Sequence, residues 1–91
     1  MKQKAVISVT GKDNVGIIAS VSALCAECGA NIIDISQTVL EEYFAMIMIV
    51  EIDRLTMPFT DFADKVSEYG KTKSLEIHVM HEDIFDSMHR I

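Results

Sequence analysis

The segment Gly11-Lys12-Asp13-Asn14-Val15-Gly16-Ile17 combines two glycines, short polar side chains and the first apolar residue of a helical stripe. Free N–H groups and the dipole at a helix start suit an anion, and Gly16 lets a ligand approach the backbone closely. A carboxylate fits this chemistry. The simpler reading is that Asp13 or Asn14 caps the helix and Gly16 packs against the sheet. The segment is neither a Walker loop nor Gly-x-Gly-x-x-Gly, so a nucleotide phosphate has little support. Further on, Asn31 supplies a donor and an acceptor, and Asp34 can accept from an ammonium group, so the pair suits the amino end of a zwitterion. The alternative is that Asn31 serves a turn and Asp34 faces water.

Other reactive residue types point away from catalysis. Cys25 and Cys28 form a C-x-x-C pair, but redox pairs of this kind sit at a helix N-terminus, where the dipole lowers the thiol pKa. These two fall about three turns into a helix and on its apolar stripe, where they act as small hydrophobes. A strand places His78 and His81 on opposite faces, and neither joins the cysteines in a zinc-like spacing. With His89, they lack a paired serine or cysteine nucleophile. Glu41 and Glu42 suit a turn better than a carboxylate dyad, and Met46, Met48 and Met80 read as core filler. No catalytic residue, metal or cofactor is expected.

The elements that must position these residues follow from periodicity. Ala5, Ile7 and Val9 alternate with Val6, Ser8 and Thr10 as a first strand that Gly11 ends. Ile17, Val21, Leu24, Cys25 and Cys28 mark one face of a helix closed by Gly29. A second strand starts at Asn31, with Ile33, Ile35, Gln37 and Val39 on one side and Ile32, Asp34, Ser36, Thr38 and Leu40 on the other. After a reversal near Glu41-Glu42, the run from Phe44 to Ile52 is apolar on both faces and belongs in mid-sheet. Thr56 and Pro58 start a second helix with the stripe Phe59, Phe62, Ala63, Val66 and Tyr69, which Gly70 stops. Leu75, Ile77 and Val79 alternate in a fourth strand, and residues 81–88 form a helical tail with Ile84, Phe85 and Met88 as its contacts.

This order predicts an α+β, ferredoxin-like βαββαβ sandwich: four antiparallel strands, two helices on one face and a short C-terminal helix over about 82–90. The first and third strands are central. The second is an edge whose apolar residues and lack of proline invite a second copy, so a homodimer is expected. Ninety-one residues make one domain, spanning 1–91. A net charge of −6, with the eight basic residues scattered, excludes nucleic acid as a first partner. No apolar run is long enough for a membrane span and no leader pattern is present, so no membrane partner and a cytoplasmic location are expected.

The run Ile7-Ser8-Val9-Thr10-Gly11-Lys12-Asp13-Asn14-Val15-Gly16-Ile17-Ile18-Ala19, followed by Gly29-Ala30-Asn31-Ile32-Ile33-Asp34-Ile35-Ser36-Gln37, resembles an ACT domain. It is most similar to the small stand-alone ACT proteins of bacteria and archaea and to the ACT halves of glycine-cleavage-system transcriptional repressors. The resemblance covers nearly the whole chain, including Phe44-Ala45-Met46-Ile47-Met48 and the tail. It implies a non-catalytic regulatory protein that binds a small amino acid, often at a dimer interface. Ligand contacts are implied at the backbone of Asn14, Val15, Gly16 and Ile17 and at the side chains of Asn31 and Asp34, with Asp13 beside the same pocket. Such domains are normally fused to an enzyme or a DNA-binding domain. None accompanies this sequence, so the regulated object is expected in a separate, unidentified protein. The alternative reading is a ligand-free protein-interaction or oligomerisation module. An acylphosphatase lacks its arginine-bearing loop here, because Arg54 and Arg90 are the only arginines. An RNA-recognition module lacks the basic and aromatic pattern on the third strand.

Overall fold

The computed structural model describes residues 3–12 and 16–88. In chain order the elements are β1 (Lys4–Lys12), α1 (Ile17–Cys28), β2 (Asn31–Leu40), β3 (Tyr43–Glu51), α2 (Phe59–Thr72), β4 (Glu76–His81) and α3 (Glu82–Met88). The four strands make one antiparallel sheet in the order β2-β3-β1-β4. This is the ferredoxin-like βαββαβ arrangement with a third, short helix added. β1 runs one residue past Gly11, through Lys12, because Gly11 still pairs with Phe44 and Lys12 with Tyr43.

Alternation sets the core. Ala5, Ile7 and Val9 of β1 and Phe44, Met46, Met48 and Val50 of β3 are buried under Ile17, Val21, Leu24, Cys25 and Cys28 of α1 and Phe62 and Val66 of α2. The buried face of α1 is therefore the stripe read from its spacing. Fixing φ at Gly29 to 86° lets the chain leave α1 and turn at once into β2. The β2–β3 reversal needs only Glu41 and Glu42, since Leu40 pairs with Tyr43. Glu41 takes φ 56°, in keeping with the primed turns that match strand twist.

Three details depart from strict periodicity. In β2 a bulge lies between Ile32 and Asp34: Ile32 pairs with Val50, Asp34 with Ile49 and Ile35 with Met48. The additional residue, Ile33, lets both Ile32 and Ile35 pack on the core, whereas simple alternation separates them. Ile33 is left 47% exposed. In α2, Gly70 does not stop the helix, which continues to Thr72. Its role is close packing, since a Cβ there would lie 2.7 Å from Ile77 Cγ1. In α3, Ile84 faces solvent and does not serve as a packing contact. The Met88 side chain, together with His89 and the rest of the expected tail, lies outside the described residues.

The helix-free face of the sheet is partly covered. Val6 points to that side, yet it is only 4% exposed, a burial that the packing of α3 on β1 and β4 explains. His81 caps α3: its Nδ1 accepts the Asp83 N–H at 3.2 Å, and its Nε2 lies 2.6 Å from Gln3 Oε1. The β2–β3 half of the face stays open, with Leu40, Tyr43 and Ile47 exposed and a shallow apolar groove of about 280 Å³ between Thr10, Thr38, Leu40, Tyr43 and Ala45.

Candidate functional site

At the β1-to-α1 junction, Gly16 is the N-cap of α1 with φ 86°, and its carbonyl accepts the Ser20 N–H at 2.9 Å. No side chain among the described residues caps this helix end, and the first-turn amides are donors that a helix cannot satisfy internally. A Cβ built on Gly16 meets nothing within 4 Å among the described residues. Asp13, Asn14 and Val15 lie outside the described residues. Lys12 stands 3.8 Å from Glu42, both side chains exposed, a contact that contributes little to stability.

Asn31 is at the other end of the same helix. The registers are decisive: Lys12 and Leu40 both pair with Tyr43, whereas Asn31 and Lys4 both pair with Glu51. Gly16 follows Lys12 by four residues and thus belongs to the Tyr43 end of the sheet. The twelve residues of α1 put about 18 Å between that end and Asn31. Within one chain, Gly16 and Ile17 are adjacent at one end of α1, whereas Asn31 and Asp34 lie on β2 beyond its other end with separate partners, so the two halves stay apart.

Around Asn31 the fold assembles groups that no local pattern announces. Gly29, Asn31, Glu51, Asp53 and Arg54 line an open cavity of about 440 Å³. Asn31 Nδ2 donates to Glu51 Oε1 at 3.0 Å. Asp53 accepts the Gln3 N–H at 3.0 and 3.2 Å. The Arg54 carbonyl packs against Gly29 so closely that a Cβ at position 29 would sit 2.3 Å from its oxygen. Asp34, by contrast, is engaged locally: its Oδ1 accepts the Ile35 N–H at 2.9 Å beside the bulge. Glu51, Asp53 and Arg54 escape sequence reasoning because only the pairing of residue 31 with residue 51 brings them to Asn31.

The thiols are not part of this chemistry. Cys25 and Cys28 are both 0% exposed, and burial, reinforced by the neighbouring Cys28, pushes the Cys25 thiol up from 9.0 to about 11. A proton-holding, inaccessible thiol is a poor nucleophile. Among the described residues, no group of three or more His, Cys, Asp or Glu side chains is arranged to hold a metal, and no helix is long and apolar enough to cross a membrane.

A four-stranded sheet with two crossover helices and glycine-formed ends on α1 defines a small α+β domain of the ferredoxin-like type. More particularly, the chain belongs to the ACT domain family, whose model matches residues 3–79. It is 48% identical over 87 residues to a UPF0237 protein of Clostridium perfringens, covering 96% of this chain and 98% of that one. To a UPF0237 protein of Methanocaldococcus jannaschii it is 43% identical, covering 97% and 98%. Among solved structures, an ACT domain protein from Streptococcus pneumoniae superimposes with a TM-score of 0.81 at 43% identity, covering 94% of this chain and 97% of that one. The fold is shared by a formyltetrahydrofolate deformylase from Pseudomonas syringae, with a TM-score of 0.77 at 20% identity over 89% of this chain and 28% of that one. ACT domains are regulatory modules that generally bind small amino acids and often dimerise.

Proposed function

We propose that this protein is a non-catalytic, cytoplasmic, homodimeric regulator, one domain over residues 1–91, whose ligand is a small amino acid. The reading is carried by the start of α1, where Gly16 turns the chain with φ 86° and the first-turn amides have no described side-chain cap. Such a turn offers N–H donors and a favourable dipole to a carboxylate. Asp13, Asn14, Val15, Gly16 and Ile17 supply this half of the site. Asn31 and Asp34 supply the half that meets the ammonium group.

The separation of the two halves in one chain is what makes the dimer necessary. β2 is an edge strand running from the Glu51 end of the sheet at Asn31 to the Tyr43 end at Leu40. Antiparallel pairing of two β2 strands about a two-fold axis sets the beginning of one beside the end of the other. Each Asn31 then approaches the end of the sheet where the other subunit's α1 begins, and each ligand bridges both subunits. Ligand binding thereby strengthens the dimer, and dimerisation strengthens ligand binding by the same factor.

Thermal denaturation in the presence of each common amino acid tests the reading. A ligand that binds the native state at a hundred times its Kd stabilises it by about 2.7 kcal/mol. Selective elevation of the melting temperature by one or a few amino acids is expected. A flat response across the set refutes amino acid binding. The open sheet face at Leu40, Tyr43 and Ile47 favours one second reading, an interaction module without a ligand, which predicts that flat response together with a stoichiometric protein partner.

A further inference from the structure

Building on the amino-acid reading above, we propose that the cavity between Gly29, Asn31, Glu51, Asp53 and Arg54 receives the ligand's side chain. It selects amino acids whose side chain is neutral and both donates and accepts hydrogen bonds, a hydroxyl or a carboxamide. The cavity volume of about 440 Å³ accommodates such a group. None of the five residues lining it has an apolar side chain. An aliphatic ligand side chain would desolvate carboxylates there without replacing their bonds to water.

The charges narrow the choice further. Asn31 donates through Nδ2 to Glu51, which leaves its Oδ1 to accept from the ligand ammonium and sets Glu51 beside that positive charge. Asp53 and Arg54 line the same cavity and are assigned to the ligand side chain, as one acceptor of negative charge and one donor of positive charge. A cationic side chain leaves Arg54 unmatched and is repelled by it, and an anionic one leaves Asp53 unmatched and is repelled by it. A hydroxyl or carboxamide donates to Asp53 and accepts from Arg54, so both partners are satisfied. Asp53 keeps this capacity while holding the Gln3 N–H, because a carboxylate offers about four lone-pair sites. The segment carrying this pair cannot drift away from Asn31. Its carbonyl at Arg54 rests on Gly29, and the Thr56 N–H donates to the Cys28 carbonyl at 3.0 Å.

The test is titration calorimetry on the full chain with serine, threonine, asparagine, glutamine, alanine, leucine, lysine and aspartate. The best of the four neutral polar ligands is expected to bind at least about tenfold tighter than alanine, the worth of one hydrogen bond to a charged group. Arg54→Ala and Asp53→Asn should each reduce that preference by about tenfold, lowering the affinity for the polar ligand by more than that for alanine. Asp53→Asn retains an acceptor for the Gln3 N–H, so it serves where Asp53→Ala disturbs folding. Tighter binding of leucine, lysine or aspartate overturns the proposal. So does an Arg54→Ala variant that weakens serine and alanine equally, or neither. If amino acids bind without a polar preference, the subsite fails and the amino-acid reading stands; if none binds, both fail.

Discussion

Gly16 and Gly29 share φ 86° but differ in what surrounds them, and this contrast makes a quantitative prediction. Replacing either by alanine places a Cβ in the left-handed region, at a cost of about 1 kcal/mol. At Gly16 nothing described lies within 4 Å of the new atom, so the cost ends there. At Gly29 the Cβ falls 2.3 Å from the Arg54 carbonyl oxygen and 3.3 Å from the Leu55 Cα, both backbone atoms. Relief requires moving the 53–56 segment, and the adjacent Thr56 N–H to Cys28 carbonyl bond is then lengthened or lost. That adds about 1 kcal/mol for the bond and about another 1 kcal/mol for displaced packing. Gly29→Ala should therefore destabilise the native state by about 3 kcal/mol, and Gly16→Ala by about 1 kcal/mol. Urea denaturation with an unchanged m-value measures both. Losses equal to within about 0.5 kcal/mol would refute the reasoning. Since nothing among the described residues crowds Gly16, Gly16→Trp should likewise fold while blocking the approach to the first-turn amides.

Four other outcomes follow from the packing and the charges. Cys25 and Cys28 should resist thiol reagents in the native protein at pH 8 and react fully in urea; rapid native labelling would contradict their burial. The Cys25 thiol keeps its proton in the native state up to about pH 11 but releases it near 9.0 when unfolded, so this group's contribution to stability should fall as pH rises through that interval. His81→Ala removes the acceptor of the Asp83 N–H and should cost about 1 kcal/mol, with faster amide exchange in α3 than in the sheet; His81→Asn, a good cap, should restore protection. Val39→Lys with Leu40→Lys alters exposed edge residues and should leave the fold intact while weakening the dimer at least tenfold in sedimentation equilibrium. Unchanged association would move the interface off β2.

What periodicity revealed and what it missed divide along one physical line. The buried stripe of α1 and the inward face of β3 were legible because each repeats within a few residues, at the period of a helix or a strand. The bulge at Ile33 was not, because alternation carries no mark of one additional residue; only pairing against Val50, Ile49 and Met48 shows it. Gly70 read as a helix stop, although its lack of a Cβ serves contact with Ile77, a neighbour in space that spacing alone cannot display. The candidate site follows the same rule. Gly16 and Asn31 stood out by residue type and position, but their placement at opposite ends of α1 depends on the sheet register. Glu51, Asp53 and Arg54 lie about twenty residues beyond Asn31 and reach it only through the β2–β3 ladder.

Mixing two inactive variants tests most directly whether the ligand spans the subunit boundary. Gly16→Trp and Asn31→Ala should each lose amino acid binding as pure dimers. After subunit exchange, each heterodimer brings an unaltered helix start from one chain against an unaltered Asn31 from the other. Calorimetry should then recover affinity close to that of the unmodified protein, with at most one site per heterodimer. No recovery, despite demonstrated exchange, would contradict the shared site.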